Sequence, residues 1–284
     1  MAKIDIKDIE KAQERINGHV IRSPLINAGQ LSRNLGLEIL LKPEFLQETG
    51  SFKLRGATNV MLSLKPSERA FGVVTASSGN HGPALALAAT KLGVNSTICL
   101  SNLVPKNKIE NVHSNGGTTC IEGQDYDASL DVCMELVKNK GMYLVHPFDN
   151  PSVVAGAGTI GLELDEDASE VDCILVPLSG GGLLAGIAVA LKARRSKARI
   201  IGVSMENGAS MIQSLIAGKP IDVQEVETIA DALGGNIGLK NNWTFETVRD
   251  LVDDCITVSD EQIKDAMRTL FFNEGIMVEG AGVV

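Results

Sequence analysis

The chain has 284 residues, 44% of them hydrophobic, and its 35 acidic against 26 basic side chains leave a net charge of −9. That balance argues against nucleic acid and against an anionic membrane surface, neither of which would attract such a protein. The length allows one large or two smaller domains, no apolar run is long enough to span a bilayer, and five scattered cysteines without a Cys-x-x-Cys pair, Cys99, Cys120, Cys133, Cys173 and Cys255, read as reduced core thiols of a cytoplasmic protein.

Ile6, Ile9, Ala12 and Ile16 recur at helical spacing, so the polar N-terminus reads as an amphipathic helix rather than a signal or transit peptide. Coil at Ile21–Pro24 and a short helix near Ala28–Leu35 lead to a first strand over Leu37–Lys42. Strand-like runs at Gly72–Thr75, Ser96–Leu100, Thr118–Ile121 and Met142–Val145 then alternate with helix-like runs at Asn80–Leu92, Lys106–Ser114 and Asp127–Lys138. A second set takes strands at Cys173–Val176, Ile200–Ser204 and Ile256–Val258 and helices at Ala188–Arg195 and Asp260–Phe272. Such alternation predicts parallel strands joined by helical crossovers, hence an α/β chain of two units. No Pro- or Ser-rich linker, repeat or low-complexity segment interrupts it.

Three stretches carry the chemistry. In Gly50-Ser51-Phe52-Lys53-Leu54-Arg55-Gly56-Ala57 a lysine sits between glycines, flanked by Phe52 and Leu54 rather than by polar neighbours. Partial desolvation there would disfavour the ammonium form and leave a nucleophilic amine suited to bonding a carbonyl. An ordinary basic loop would contain the same Lys53 and Arg55. Thr75-Ala76-Ser77-Ser78-Gly79-Asn80-His81-Gly82 and Pro177-Leu178-Ser179-Gly180-Gly181-Gly182-Leu183-Leu184 each follow a β-rich run and open a helix-like one. Each should therefore present backbone N–H groups to an anion. Ser77 and Asn80 could equally be helix N-caps, His81 a core or capping histidine, and Gly180–Gly182 any glycine-rich turn. His19, His113 and His146 have no ligand spacing and read as structural. Gly156-Ala157-Gly158-Thr159-Ile160-Gly161 fits the dinucleotide fingerprint, but the preceding strand ends near Val145, too early for the tight turn, and no carboxylate follows the next strand. Close packing of a helix on a strand is the preferred explanation of those glycines.

Order, spacing and context of the three stretches resemble the threonine dehydratase and serine racemase group of fold-type II pyridoxal-phosphate enzymes, from about Ile9 to the last residue. The resemblance implies two parallel-sheet α/β domains with the cofactor in the cleft between them, as in tryptophan synthase β. Residues 1–50 and 146–284 would form the large domain and 51–145 the small one. It implies pyridoxal 5'-phosphate held covalently by Lys53 next to Phe52, its phosphate cradled by Ser179, Gly180, Gly181, Gly182 and Leu183, and its ring hydroxyl bonded by Asn80. Ser77, Ser78, Gly79, Asn80 and His81 would take the substrate carboxylate, Lys53 would be the base, and Ser78 would lie on the opposite face of the cofactor.

The implied reaction is β-elimination from a small 3-hydroxy amino acid, threonine or serine, to a 2-oxo acid and ammonia, in a homo-oligomer, dimer or tetramer. Racemisation on the same site and a catalytically silent binder of the cofactor or an amino acid are the alternatives. Two departures stand out. Ser204 and Ser210 occupy the positions of the carboxylates that hold a divalent cation in the racemase branch, so no metal is expected. The family's pattern also continues past Glu279-Gly280-Ala281-Gly282 to a strand that bonds the pyridine nitrogen, so no residue here is assigned to that nitrogen, and regulation through a further domain is not expected. The runs Ser204–Met211 and Ala230–Gly235 look more like dehydratases associated with hydroxyectoine breakdown than like housekeeping ones.

Overall fold

A computed structural model describes residues 4–124 and 126–284. In chain order its first part runs α1 Ile6–Ile16, β1 Ile26–Asn27, α2 Gly29–Leu35, β2 Leu40–Leu41, α3 Lys53–Ser63 and α4 Pro66–Arg69. There follow β3 Val73–Ala76, α5 His81–Lys91, β4 Ser96–Leu100, α6 Lys106–Ser114, β5 Thr118–Ile121, α7 Tyr126–Lys140 and β6 Tyr143–Leu144. The remainder runs α8 Pro151–Asp167, β7 Cys173–Pro177, α9 Gly182–Ala193, β8 Arg199–Met205, α10 Ser210–Ala217, α11 Thr244–Leu251, β9 Asp254–Val258 and α12 Asp260–Glu274. The chain packs as two compact units, Met1–Ile21 with Leu46–Thr159, and Arg22–Phe45 with Ile160–Val284.

The first unit is built on a four-stranded sheet in the order β5-β4-β3-β6, every neighbouring pair parallel. Its central strands β3 and β4 read as short apolar runs because both faces are covered, whereas the edge strand β5 leaves Thr118 and Ile121 exposed. Val73, Ile98 and Leu100 point to one core with Leu54, Ala57 and Met61 of α3 and Leu85 of α5. Val74, Ala76 and Cys99 point the other way, to Cys133 of α7. The two-residue side-chain period of a strand thus divides one run between two cores. Helix α1 begins as its sequence predicts, with Asp5 Oδ1 accepting the Lys7 and Asp8 amides at 2.8 and 3.2 Å.

The second unit carries the parallel sheet β7-β8-β9 and a core of Met205, Ala230, Leu233, Ile263 and Ala281. Three expectations change here. Cys173 is exposed rather than a core thiol, because it opens the edge strand β7, where Leu175 on the same face is also 59% exposed. The strand expected over Leu37–Lys42 shrinks to Leu40–Leu41, since its only partner is the two-residue β1. Helix α9 begins at Gly182, six residues before the expected Ala188, because the glycine turn feeds directly into it.

The Gly156–Gly161 stretch lies in the middle of α8, in a helix packed on helices rather than on a strand. A Cβ at Gly156 would stand 2.6 Å from Arg55 O and 2.7 Å from Gly56 Cα of α3, and one at Gly161 would stand 2.8 Å from Ala190 Cβ of α9. Close approach of backbones is therefore what the glycines supply. Asn150 Oδ1 caps the helix through the Ser152 and Val153 amides at 2.9 and 3.2 Å, and Pro151 sits at its first position.

Candidate active site

Lys53 is the first residue of α3, set there by the turn through Gly50, whose φ of 75° favours glycine. The residue is half-buried, and its amine lies among enough protein atoms that desolvation pushes its pKa down to about 8. The amine donates to the Pro147 carbonyl at 2.8 Å and lies 5.3 Å from the centre of the Phe52 ring. Arg55 is not a loop cation: it is 1% exposed and donates to Thr159 Oγ1 and to the Ile21 carbonyl, each at 3.2 Å. Asn59, one turn further, donates to the Ser152 carbonyl at 2.7 Å and accepts from Arg15. The helix that begins at Lys53 is thus tied on two sides to α1, the Ile21 segment and α8.

The second stretch leaves the C-terminal end of β3, turns through Ser77–Asn80 and enters α5 at His81. The Ser77 amide donates to the Cys99 carbonyl at 3.3 Å, Ser78 is exposed, and Ser77, Gly79 and Asn80 are half-buried. Asn80 stands at the N-cap position without making a side-chain capping bond, so capping does not explain it. His81 is 1% exposed and its Nε2 lies 3.3 Å from the Val145 carbonyl. A carbonyl only accepts, which puts the proton on Nε2 and leaves Nδ1 a buried acceptor with no protein partner. Burial, with Lys53's charge as the second cause, pushes the His81 pKa down to about 3.

His146 was not singled out by its sequence context, yet it belongs to this site. Its Nδ1 accepts the Asp149 amide at 2.9 Å and the Phe148 amide at 3.4 Å, and burial pushes its pKa down to about 4 against the opposing pull of Asp149. No spacing rule finds a histidine whose partners are main-chain amides two and three residues on.

The third stretch, in the second unit, leaves β7 and passes through half-buried Ser179 and buried Gly180, Gly181 and Gly182 into α9, where Leu183 is half-buried. Gly181 has φ +85°, a conformation that calls for glycine, and a Cβ there would also stand 3.2 Å from Thr244 Cβ. The first turn of α9 holds no acidic side chain, and its amide groups carry the partial positive charge of a helix N-terminus. Ser204 donates to Met205 Sδ at 3.6 Å and Ser210 to the Gly235 carbonyl at 2.6 Å. Among the described residues no group of three His, Cys, Asp or Glu side chains could hold a metal ion.

Taken unit by unit, the chemistry of each stretch suits a part of pyridoxal phosphate: in the first unit a desolvated lysine amine suits the carbonyl carbon of the cofactor, and in the second a glycine-built helix N-terminus suits a phosphate. Ser51 Oγ, Thr75 Oγ1 and His81 Nδ1 are buried beside the first two stretches without protein partners, which is costly unless a polar group answers them.

Residues 16–284 match the family of pyridoxal-phosphate dependent enzymes. The L-threonine ammonia-lyase of Thermotoga maritima is 40% identical over 281 residues, 99% of this chain and 70% of that protein. The catabolic L-threonine dehydratase of Escherichia coli strain K12 is 36% identical over 281 residues, 99% and 85% of the two chains. Among solved structures, maize serine racemase superposes with a TM-score of 0.95 at 37% identity, covering 100% of this chain and 85% of that one. Threonine deaminase isoform 2 of Solanum lycopersicum gives 0.90 at 32%, covering 99% and 79%. The chain belongs to the pyridoxal-phosphate dependent enzymes, in the two-domain α/β fold that its alternating strands and helices predict.

Proposed function

We propose that the protein is an ammonia-lyase that removes the β-hydroxyl and amino groups of a small 3-hydroxy amino acid, giving a 2-oxo acid and ammonia. One observation carries this reading: the amine of Lys53, held at 2.8 Å by the Pro147 carbonyl, is desolvated by burial, which pushes its pKa down to about 8. Such an amine loses its proton well below the ordinary lysine value, so a minor fraction is free base at neutral pH without the help of another side chain. The relatives named for L-threonine support the substrate class.

When bound, pyridoxal phosphate supplies the electron sink that makes the substrate Cα–H acidic. Lys53 would be the residue that holds the cofactor, and its amine, once free, would take the Cα proton. The hydroxyl would leave Cβ as water, taking the proton that the Lys53 ammonium had received from Cα, and the released enamine would hydrolyse in water to the 2-oxo acid and ammonia. Ser77, Ser78, Gly79, Asn80 and His81 bind the substrate carboxylate at the N-terminus of α5, where the helix dipole favours an anion. Asn80 also bonds the ring hydroxyl. Ser179–Leu183 takes the phosphate through main-chain amides, and Phe52 packs beside the lysine. The scheme calls on no divalent metal, and Ser78 would be the acid on the substrate face opposite Lys53.

The test is to incubate the cofactor-loaded protein with L-threonine and with L-serine and to measure 2-oxo acid, ammonia and substrate chirality together. Formation of oxo acid and ammonia is the expected result. Loss of chirality without oxo acid would favour a racemase, for which the likeness to maize serine racemase speaks, and binding without either would favour a silent receptor.

A further inference from the structure

The reaction outlined above leaves unexplained the hydrogen bond from Lys53 Nζ to the Pro147 carbonyl, 2.8 Å long. Pro147 is buried, and its carbonyl direction is set by the turn that follows β6 rather than by any rotamer. One side chain closes that turn. His146 Nδ1 accepts the Asp149 amide at 2.9 Å and the Phe148 amide at 3.4 Å, while its ring meets that of Phe148 edge to face at 4.6 Å. Accepting two amides requires an unprotonated Nδ1, and burial of the ring keeps it so.

We infer that the His146–Asp149 turn is a holder for the lysine amine: Pro147 O binds Lys53 Nζ whenever that amine is not bonded to the cofactor, and His146 is the positioning residue that aims the carbonyl. The inference rests on Lys53 being the attachment residue proposed above. Its chemical sense follows from the donor count. A neutral amine has two N–H bonds and one lone pair, so giving one N–H to Pro147 stops free rotation and leaves the lone pair for a proton or a carbonyl carbon. Once the amine has taken a proton, the bond to the carbonyl becomes charge-assisted and stronger, which offsets part of the desolvation that burial imposes on the ammonium. The groups that titrate near the amine, His81 and His146, are both kept neutral by burial and so do not supply that compensation.

The experiment uses the full chain stripped of cofactor and follows the rate at which pyridoxal 5'-phosphate attaches, by the absorbance of the lysine-bound form, as a function of pH. Borohydride reduction and peptide mapping identify the lysine. His146→Ala removes the acceptor, and His146→Asn restores one at the place where an asparagine side chain closes the same turn through its own following amides. With His146→Ala the midpoint of the rate profile moves to lower pH, the proton affinity of Lys53 dropping roughly tenfold with loss of a bond to a charged donor. The plateau rate falls by a similar factor, and His146→Asn recovers most of both. Should His146→Ala not fold, His146→Phe, which keeps the ring and lacks the acceptor, carries the same expectation. A profile unchanged in the acceptor-less variants, or an Asn variant as impaired as the Ala or Phe variant, overturns the inference. Mapping of the pyridoxyl group to another lysine overturns instead the assignment of Lys53.

Discussion

An amine whose pKa lies near 8 is mostly ammonium at neutral pH, so the attachment of cofactor to Lys53 should quicken as pH rises and level off above about 8. A profile that kept rising toward the ordinary lysine value would mean the amine is solvated. Lys53→Ala should lose covalent attachment and all turnover yet remain folded, because deleting one desolvated amine offsets a lost hydrogen bond of about 1 kcal/mol; absorbance and a melting curve check the two halves. Ser78→Ala separates two chemistries: any turnover of D-substrate or racemisation should vanish, while a measurable part of L-threonine or L-serine dehydration survives, since elimination from the L-face needs only Lys53. Equal loss for both enantiomers, in a fully loaded variant, would show that Ser78 serves binding alone. The desolvation of Lys53 is legible in the sequence because Phe52, Leu54 and two glycines are strange neighbours for a solvated cation. That Asn80 takes the cap position of α5 without a capping bond is not legible there, because a cap and a non-cap asparagine have the same neighbours. His146 was illegible, because its work is done on amides that every residue possesses.

Elements were read best where side chains repeat and worst where backbones touch. The apolar runs gave β4 and β5 with the bounds expected and β3 shifted by one residue, whereas the strand expected over Met142–Val145 shrank to β6 Tyr143–Leu144; β3 and β4, buried on two faces, have little else to be. Helix α8 was obscured by its own glycines, which imitate a nucleotide fingerprint while serving a crossing with α3; the Asn150-Pro151 pair, a cap followed by proline at the first helical position, was the signal that could have located it. That crossing is testable. Gly156→Ala places a methyl group 2.6 Å from Arg55 O, a backbone atom that cannot swing away, and should destabilise the protein by about 1–3 kcal/mol. Gly29→Ala in α2, where the nearest atom is the flexible Arg33 guanidinium at 3.5 Å, should be neutral or slightly stabilising. Chemical denaturation of the pair decides whether close approach or mere helix propensity governs Gly156, because propensity alone predicts that both substitutions stabilise.

On the scale of the whole molecule, the division expected at about residues 51 and 145 followed the lysine loop and the last strand of the first sheet. The packing units also gather α1 and the first half of α8 around that sheet, through Arg15, Asn59, Arg55 and Thr159, contacts that strand and helix periodicity does not report. The same first unit holds both histidines whose pKa values burial lowers, His81 to about 3 and His146 to about 4, and this makes global stability depend on pH in a definite direction. In the unfolded chain each titrates near 6.5, so between that pH and the folded value the unfolded state binds more protons and acid favours unfolding. Stability should therefore fall below about 6.5, each histidine contributing at most about 1.4 kcal/mol per pH unit, and be level from about pH 7 to 8, above which Lys53, whose folded pKa of about 8 lies below the ordinary lysine value, makes it rise with pH. Asp253, held below its ordinary range chiefly by its bond to Lys192, loses its contribution only in more acid solution, near and below the ordinary aspartate value, so its effect begins where that of the histidines is nearly complete. His81→Gln, which keeps a donor and an acceptor without a titrating ring, should flatten the decline between pH 6.5 and 4.5 in urea melts of the cofactor-free chain. A wild-type curve that is flat across that interval would mean that the two imidazoles are solvated, and that the neutral His146 on which the Pro147 turn depends is not secured by burial.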